Sequence, residues 1–134
     1  MASLANKSIL IVDDEEVMRE FLSDVLEDFA VEKASDGDEA IVRMKEREYD
    51  LVITDMKMPR VSGEEVVKFA RENYPNISII VISGYSSLAS VGNALGYGVC
   101  AFLSKPFTIK QLRTEVEKSL VSSDKAGSEG GLNG

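Results

Sequence analysis

Five polar residues in this sequence are of the types that bind divalent metal ions and phosphate groups. Asp13 and Asp14 directly follow one apolar run, Asp55 follows another, and Ser83 and Lys105 follow two later ones. A carboxylate at the end of a buried strand is costly unless it has a partner or a chemical role. These five residues are therefore the first candidates for a functional site.

The elements that carry these residues alternate between strands and helices. Short apolar, β-branched runs predict five strands, at Ile9–Val12, Val31–Ala34, Tyr49–Thr54, Ile77–Ile82 and Val99–Leu103. Amphipathic spacing and capping signals predict five helices, at Glu15–Asp28, Asp38–Arg47, Gly63–Asn73, Ser86–Leu95 and from Thr108 onward. This alternation predicts an α/β fold, a doubly wound parallel sheet with helices on both faces.

The composition sets the limits for domain organisation and partners. A chain of 134 residues is long enough for one domain, which we place at residues 1–121. Residues 122–134 are rich in Ser, Gly and charged side chains, so we expect a disordered tail or a linker there. The formal net charge of −8 argues against direct binding of nucleic acid.

The cellular setting is also predicted from composition. Cys100 is the only cysteine, which excludes an internal disulfide and suits a reducing, cytoplasmic compartment. The first residues lack the apolar core of a signal peptide, and no run approaches membrane-spanning length. The chain contains no histidine, so histidine cannot serve as base, metal ligand or phosphate carrier.

A parallel sheet would bring the candidate residues to one edge. Two like unit charges at ~4 Å repel by about 4 kcal/mol at an effective dielectric constant of ~20, so three carboxylates need neutralisation. Lys105 offsets one charge, and a divalent cation would offset the other two. Oxygen ligands without histidine or cysteine indicate Mg²⁺ or Mn²⁺. A carboxylate beside such a cation and an ammonium group can accept a phosphoryl group, to which Ser83 can hydrogen-bond.

Each candidate also has an ordinary structural explanation. Asp13 and Asp14 can serve as a helix cap, Asp55 and Ser83 as turn residues, and Lys105 as a solvated surface lysine. Their joint occurrence at the carboxyl ends of four predicted strands favours a functional site.

Four segments carry a resemblance to a known family. They are ILIVDDEE at the first strand, DLVITDMKMPRVSG around Asp55, VISGYSS after the fourth strand, and AFLSKPF at the fifth. In this order and spacing they resemble the receiver domain of two-component response regulators. The resemblance covers about Lys7 to Leu120. It implies a flavodoxin-like sheet of strand order 2-1-3-4-5.

The resemblance implies a role for each candidate at the metal and phosphate site. Asp55 would be the phosphoacceptor, supplied by a sensor histidine kinase or a histidine phosphotransfer protein. Asp14 would bind Mg²⁺ directly and Asp13 through water, with Asp55 and the backbone carbonyl of Lys57 as further ligands. Lys105 would pair with the phosphoryl group, and its bond to Pro106 would be cis.

The resemblance also implies a conformational switch. Ser83 would move toward the phosphoryl group and Phe102, at the aromatic switch position, would then rotate inward. The surface of the fourth helix, fifth strand and fifth helix would change, and a downstream protein target, an output domain or a second copy would bind there. Many relatives carry tyrosine where Phe102 stands, so the off state should be less sharply defined. Lys57 and Tyr85 are large, which predicts slow self-dephosphorylation.

Two other functions stay open at this stage. A magnesium-dependent phosphatase or phosphotransferase of the haloacid dehalogenase type would use the same acids. Such enzymes usually carry a second acid two residues after the nucleophile, where this chain has Lys57, and an inserted cap that is absent here. The second alternative is a scaffold that is never phosphorylated, but such a protein would have no use for the five candidate residues. We therefore expect a signalling domain that catalyses only its own phosphorylation and dephosphorylation.

Overall fold

Five parallel strands form the centre of the molecule, in a computed structural model that describes residues 4–84, 92 and 96–132. The strands are β1 (Ser8–Val12), β2 (Ala30–Ala34), β3 (Leu51–Asp55), β4 (Ser78–Ser83) and β5 (Ala101–Ser104). Their order in the sheet is β2-β1-β3-β4-β5, and every neighbouring pair is parallel. The predicted α/β fold and strand order are confirmed, with strand boundaries within about two residues of those expected.

Helices cover both faces of the sheet. They are α1 (Glu16–Val25), α2 (Gly37–Glu46), α3 (Gly63–Asn73) and a C-terminal helix (Ile109–Leu132). Side chains alternate along each strand, so Val52 joins a core cluster under α2 and α3, whereas Leu51 and Ile53 join one under α1 and the C-terminal helix. Each fully buried aliphatic side chain contributes roughly 1.5–3 kcal/mol.

Two capping boxes set where helices begin beside the site. The Ser62 hydroxyl accepts from the Glu65 N–H at 3.3 Å, and the Glu65 carboxylate accepts from the Ser62 N–H at 3.1 Å. Thr108 and Gln111 make the same reciprocal pair at 2.8 and 3.0 Å. The first box fixes the end of the loop that follows β3, and the second fixes the end of the loop that follows β5. Both boxes are as the sequence predicts.

Two helix boundaries differ from the prediction. α1 ends at Val25 rather than Asp28, because the chain turns there to bring Ala30 beside Lys7, whose carbonyl accepts the Ala30 N–H at 3.0 Å. The C-terminal helix continues to Leu132, through residues where a tail was expected. The domain boundary at residue 121 stays a prediction.

Apart from Gly92, the predicted helix Ser86–Leu95 lies outside the described residues, and so does Tyr85, so the expectations placed on them are not tested. Over the ranges that the structure covers, no helix combines the length and the apolar character that crossing a membrane requires.

Candidate functional site

The sheet register brings the ends of β1, β3 and β4 together. Val12 pairs with Thr54, so Asp13 and Asp55 occupy equivalent positions on adjacent strands. Asp55 pairs with Ile82, the residue before Ser83. On the other side of β4, the backbone N–H of Lys105 donates to the Ser83 carbonyl at 2.9 Å. The edge predicted from the sequence therefore exists in the folded chain.

Asp13, Asp14 and Asp55 form an acidic cluster. One carboxylate oxygen from each lies within 4.8 Å of the other two. Asp13 and Asp55 are only 2% and 7% exposed, whereas Asp14 is exposed to solvent. All of these donors are oxygens, the ligands that Mg²⁺ and Mn²⁺ prefer. The set therefore fits a hard divalent cation with access from the solvent side.

Lys105 supplies the positive charge at the cluster. Its Nζ lies 3.5 Å from Asp55 Oδ2, 3.8 Å from Asp13 Oδ2 and 3.7 Å from Glu15 Oε1. One ammonium group therefore faces three carboxylates, and Asp14 adds a fourth acid nearby. The peptide bond from Lys105 to Pro106 is cis, as predicted.

Burial makes the charges of the two inner acids costly. It raises the pKa of Asp13 to about 6, an effect that the Glu15 N–H opposes and the neighbouring Asp55 charge reinforces. Burial also raises the pKa of Asp55, and the Lys105 ammonium is the largest opposing influence. A bound divalent cation would stabilise both carboxylates in their charged form, which is a second reason why the cluster fits a metal ion.

The loop after β3 begins beside the Asp55 carboxylate. The backbone N–H of Lys57 donates to Asp55 Oδ1 at 3.4 Å, and the Lys57 side chain is exposed. The backbone of Lys57 therefore lies beside the acidic cluster, as the predicted ligand role requires. That role itself stays a prediction.

Ser83 and Phe102 lie on neighbouring strands. Ser83 is buried at the end of β4, and Phe102 lies on β5, paired with Val81. The Phe102 ring is partly buried against the core cluster that contains Leu10 and Val52. These positions are compatible with the predicted switch, and the movement itself stays a prediction.

Comparison with known proteins identifies the family. The family profile described as response regulator receiver domain matches residues 9–117. The chain belongs to the receiver domain family. Receiver domains are the signalling domains of two-component systems, and they bind Mg²⁺ at an acidic pocket.

Individual relatives agree with this assignment. The receiver is 33% identical over 118 residues to the response regulator receiver protein CpdR of Brucella abortus, covering 87% of this chain and 98% of that protein. It is 34% identical over 121 residues to the sensor kinase CckA of the same organism, but spans only 13% of that protein's length. A crystal structure of a CheY-like receiver domain protein from Methanospirillum hungatei superposes with a TM-score of 0.87 at 28% identity, over 90% of this chain and 98% of that one.

Gly63 is a site residue whose contact was not anticipated from the sequence of the receiver. A β-carbon at this position would lie 2.0 Å from the Asp55 carbonyl oxygen and 2.6 Å from the Met56 Cα. The first residue of α3 therefore packs directly on the backbone at the end of β3. A glycine after a capping serine was the only signal, and it indicates a helix start equally well.

Arg60 is a second residue that the sequence did not single out. It adopts a left-handed backbone with φ of 64°, and its guanidinium pairs with Asp36 at 3.0 Å and with Asp38 at 3.2 Å. Asp36 also caps α2 by accepting from the Glu39 N–H. Arg60 thereby ties the loop after Asp55 to the start of α2.

Proposed function

We propose that Asp55 accepts a phosphoryl group from the phosphohistidine of a sensor histidine kinase or a histidine phosphotransfer protein. An Asp55 carboxylate oxygen forms a bond to phosphorus while the phosphorus–nitrogen bond breaks. The imidazole nitrogen keeps the electron pair of that bond and takes up a proton. The observation that carries this proposal is the buried Asp55 carboxylate, 3.5 Å from the Lys105 ammonium and beside two further carboxylates.

The residues around Asp55 would also make the transfer depend on a divalent metal ion. Asp14 would bind Mg²⁺ or Mn²⁺ directly and Asp13 through water, with Asp55 and the Lys57 backbone carbonyl as further ligands. The cation, when bound, neutralises charge on the oxygens of the transferring phosphoryl group. Lys105 would pair with the same oxygens, because its Nζ already faces Asp13 and Asp55. The acids hold the cation, and Lys105 orients the phosphoryl group.

Phosphorylation would then act as a switch. A phosphoryl group adds about −1.5 to −2 charge beside Ser83, whose hydroxyl donates a hydrogen bond to it. Phe102 moves toward the space that Ser83 leaves. The exposed surface of β5 and the C-terminal helix changes with it, and a downstream target or output domain binds there. Dimerisation through this surface and a cytoplasmic location stay predictions.

The proposal makes the chain a signalling domain rather than an enzyme that acts on small substrates. Its catalysis would be limited to its own phosphorylation and dephosphorylation. Lys57 stands two residues after Asp55, where a haloacid dehalogenase-type enzyme would carry a general acid. A lysine there does not suit protonation of a small leaving group.

Intact-mass spectrometry after incubation with acetyl phosphate and Mg²⁺ tests the proposal. We expect a single phosphoryl adduct in the wild type and in Asp24→Asn, which removes an exposed carboxylate on α1. Asp55→Asn and a chelator-treated sample should show no adduct. An adduct that persists in Asp55→Asn would contradict the assignment of the acceptor, and one that persists with chelator would contradict the metal requirement.

A further inference from the structure

Glu15 occupies the N-cap position of α1 without capping the helix. Its backbone is extended there (φ −96°, ψ 118°), but its side chain makes no hydrogen bond to the first turn. N-cap residues are typically Ser, Thr, Asp or Asn, whose short side chains accept from the N–H groups two or three residues later. The Glu15 side chain therefore contacts groups other than the N–H groups of the first helical turn.

Those neighbours are the charged groups of the phosphorylation site. The Glu15 backbone N–H donates to Asp13 Oδ1 at 2.8 Å, and its carboxylate lies 3.7 Å from Lys105 Nζ. The Glu15 side chain is 67% exposed, whereas that of Lys105 is 20% exposed. Glu15 thus adds an exposed carboxylate beside Lys105, whose Nζ also lies 3.5 Å from Asp55 Oδ2.

We propose that Glu15 is a positioning residue that restrains the Lys105 ammonium and disfavours small anionic phosphoryl donors. The inference rests on the proposed function of Asp55. During transfer Lys105 must pair with the phosphoryl oxygens, so a carboxylate that holds the ammonium competes with the incoming group. Its negative charge also repels a small donor that approaches from solvent. A protein donor can bring compensating positive charge at its own surface.

Acetyl phosphate provides a direct probe of this effect. Transfer forms a bond between an Asp55 oxygen and phosphorus and breaks the bond between phosphorus and the acetyl oxygen, so acetate leaves with the electron pair. Phosphoramidate transfers the same group but carries less negative charge at neutral pH. An electrostatic effect of Glu15 therefore slows phosphoryl transfer from acetyl phosphate more than transfer from phosphoramidate.

The expected size of the effect follows from the exposure of the Glu15 side chain. Exposed charge pairs are worth only a fraction of a kcal/mol to about one, so Glu15→Gln should raise the acetyl phosphate rate about two- to fivefold at low salt. The increase should disappear near 1 M salt, where the screening length falls to about 3 Å.

The test measures initial phosphorylation rates at saturating Mg²⁺ for wild type, Glu15→Gln and Glu16→Gln, with both donors and at two salt concentrations. Glu16 is the matched control, because it is an exposed glutamate in the first turn of α1. We expect a salt-sensitive acceleration in Glu15→Gln that is larger with acetyl phosphate, and a smaller change in Glu16→Gln. Amide NMR spectra of the three proteins establish that each is folded.

The outcomes separate this inference from the proposed function. Equal phosphorylation rates in all three proteins would overturn the role of Glu15 while leaving Asp55 as acceptor. A rate change in Glu15→Gln that is the same for both donors and at both salt concentrations would do so as well. If none of the three folded proteins acquires a phosphoryl group from either donor, both proposals fail together.

Discussion

Gly63 lies against the backbone carbonyl of Asp55, so closely that a β-carbon on Gly63 would be 2.0 Å from the carbonyl oxygen. The Gly63 N–H also donates to the Met56 carbonyl at 3.0 Å. The start of α3 is thereby fixed to the end of β3, where the Asp55 side chain emerges. The geometry of the acidic cluster depends on a residue that has no side chain.

Replacement of Gly63 by alanine should therefore damage both stability and the site. The new methyl group would overlap backbone atoms that cannot rotate away, so we expect a loss of about 3 kcal/mol or more in the free energy of unfolding. Urea denaturation measures this loss. Gly96→Ala is the control, since no heavy atom lies within 4 Å of a β-carbon there. Equal stabilities of the two variants would refute the close contact.

Asp13 should make the stability of the metal-free protein depend on pH. Its pKa is raised by burial to about 6, so the folded state binds the proton more tightly than the unfolded state does. Charged Asp13 therefore destabilises the fold above pH 6. This penalty decreases as the pH falls through the folded-state pKa and vanishes below 3.8, the pKa of the carboxyl in the unfolded chain.

Asp13→Asn isolates that contribution. With chelator present, the variant should be more stable than the wild type by about 1–3 kcal/mol at pH 7.5. The difference should be roughly half as large at pH 5. Urea denaturation of both proteins at each pH measures it. A difference that stays constant with pH would show that the Asp13 carboxyl does not titrate in this range.

Lys57 should prolong the life of the phosphoryl group. Its exposed side chain follows Asp55 by two residues. We expect a large group there to hinder the approach of water to a phosphoryl group on Asp55. Lys57→Asn should shorten the decay time of the adduct, followed by intact-mass spectrometry after removal of the donor. Lys68→Asn removes an exposed lysine from α3 and should leave the decay unchanged. The prediction is wrong if the phosphoryl adduct of Lys57→Asn decays as slowly as that of the wild type.

The Ser83 hydroxyl should couple the phosphoryl group to β5. Beryllofluoride, which imitates a phosphoryl group on a carboxylate, should shift amide NMR signals around Phe102 in the wild type when Mg²⁺ is present. Ser83→Ala should still bind the reagent but lose most of that shift. Ser104 is the residue paired with Ser83 in the sheet register, and Ser104→Ala should keep the shift. An undiminished shift in Ser83→Ala would exclude Ser83 as the switch residue.

The sequence allowed much of this architecture to be predicted, because the signals involved are local. β-Branched runs identify the strands, and Ser62 with Glu65 identifies the start of α3. The acids at strand ends identify the cluster, once a parallel sheet is assumed. The contacts of Gly63, Arg60 and Glu15 were not predicted, since each depends on how separate loops meet in the folded chain.

Chemical trapping of the acceptor tests the central claim most directly. The receiver is phosphorylated with acetyl phosphate and Mg²⁺, reduced with borohydride, digested and analysed by peptide mass spectrometry. Borohydride converts an aspartyl phosphate to homoserine, which marks the acceptor permanently. We predict homoserine at position 55 and unmodified aspartate at positions 13 and 14. Homoserine at either of those two positions, or at none of the three, would contradict the account.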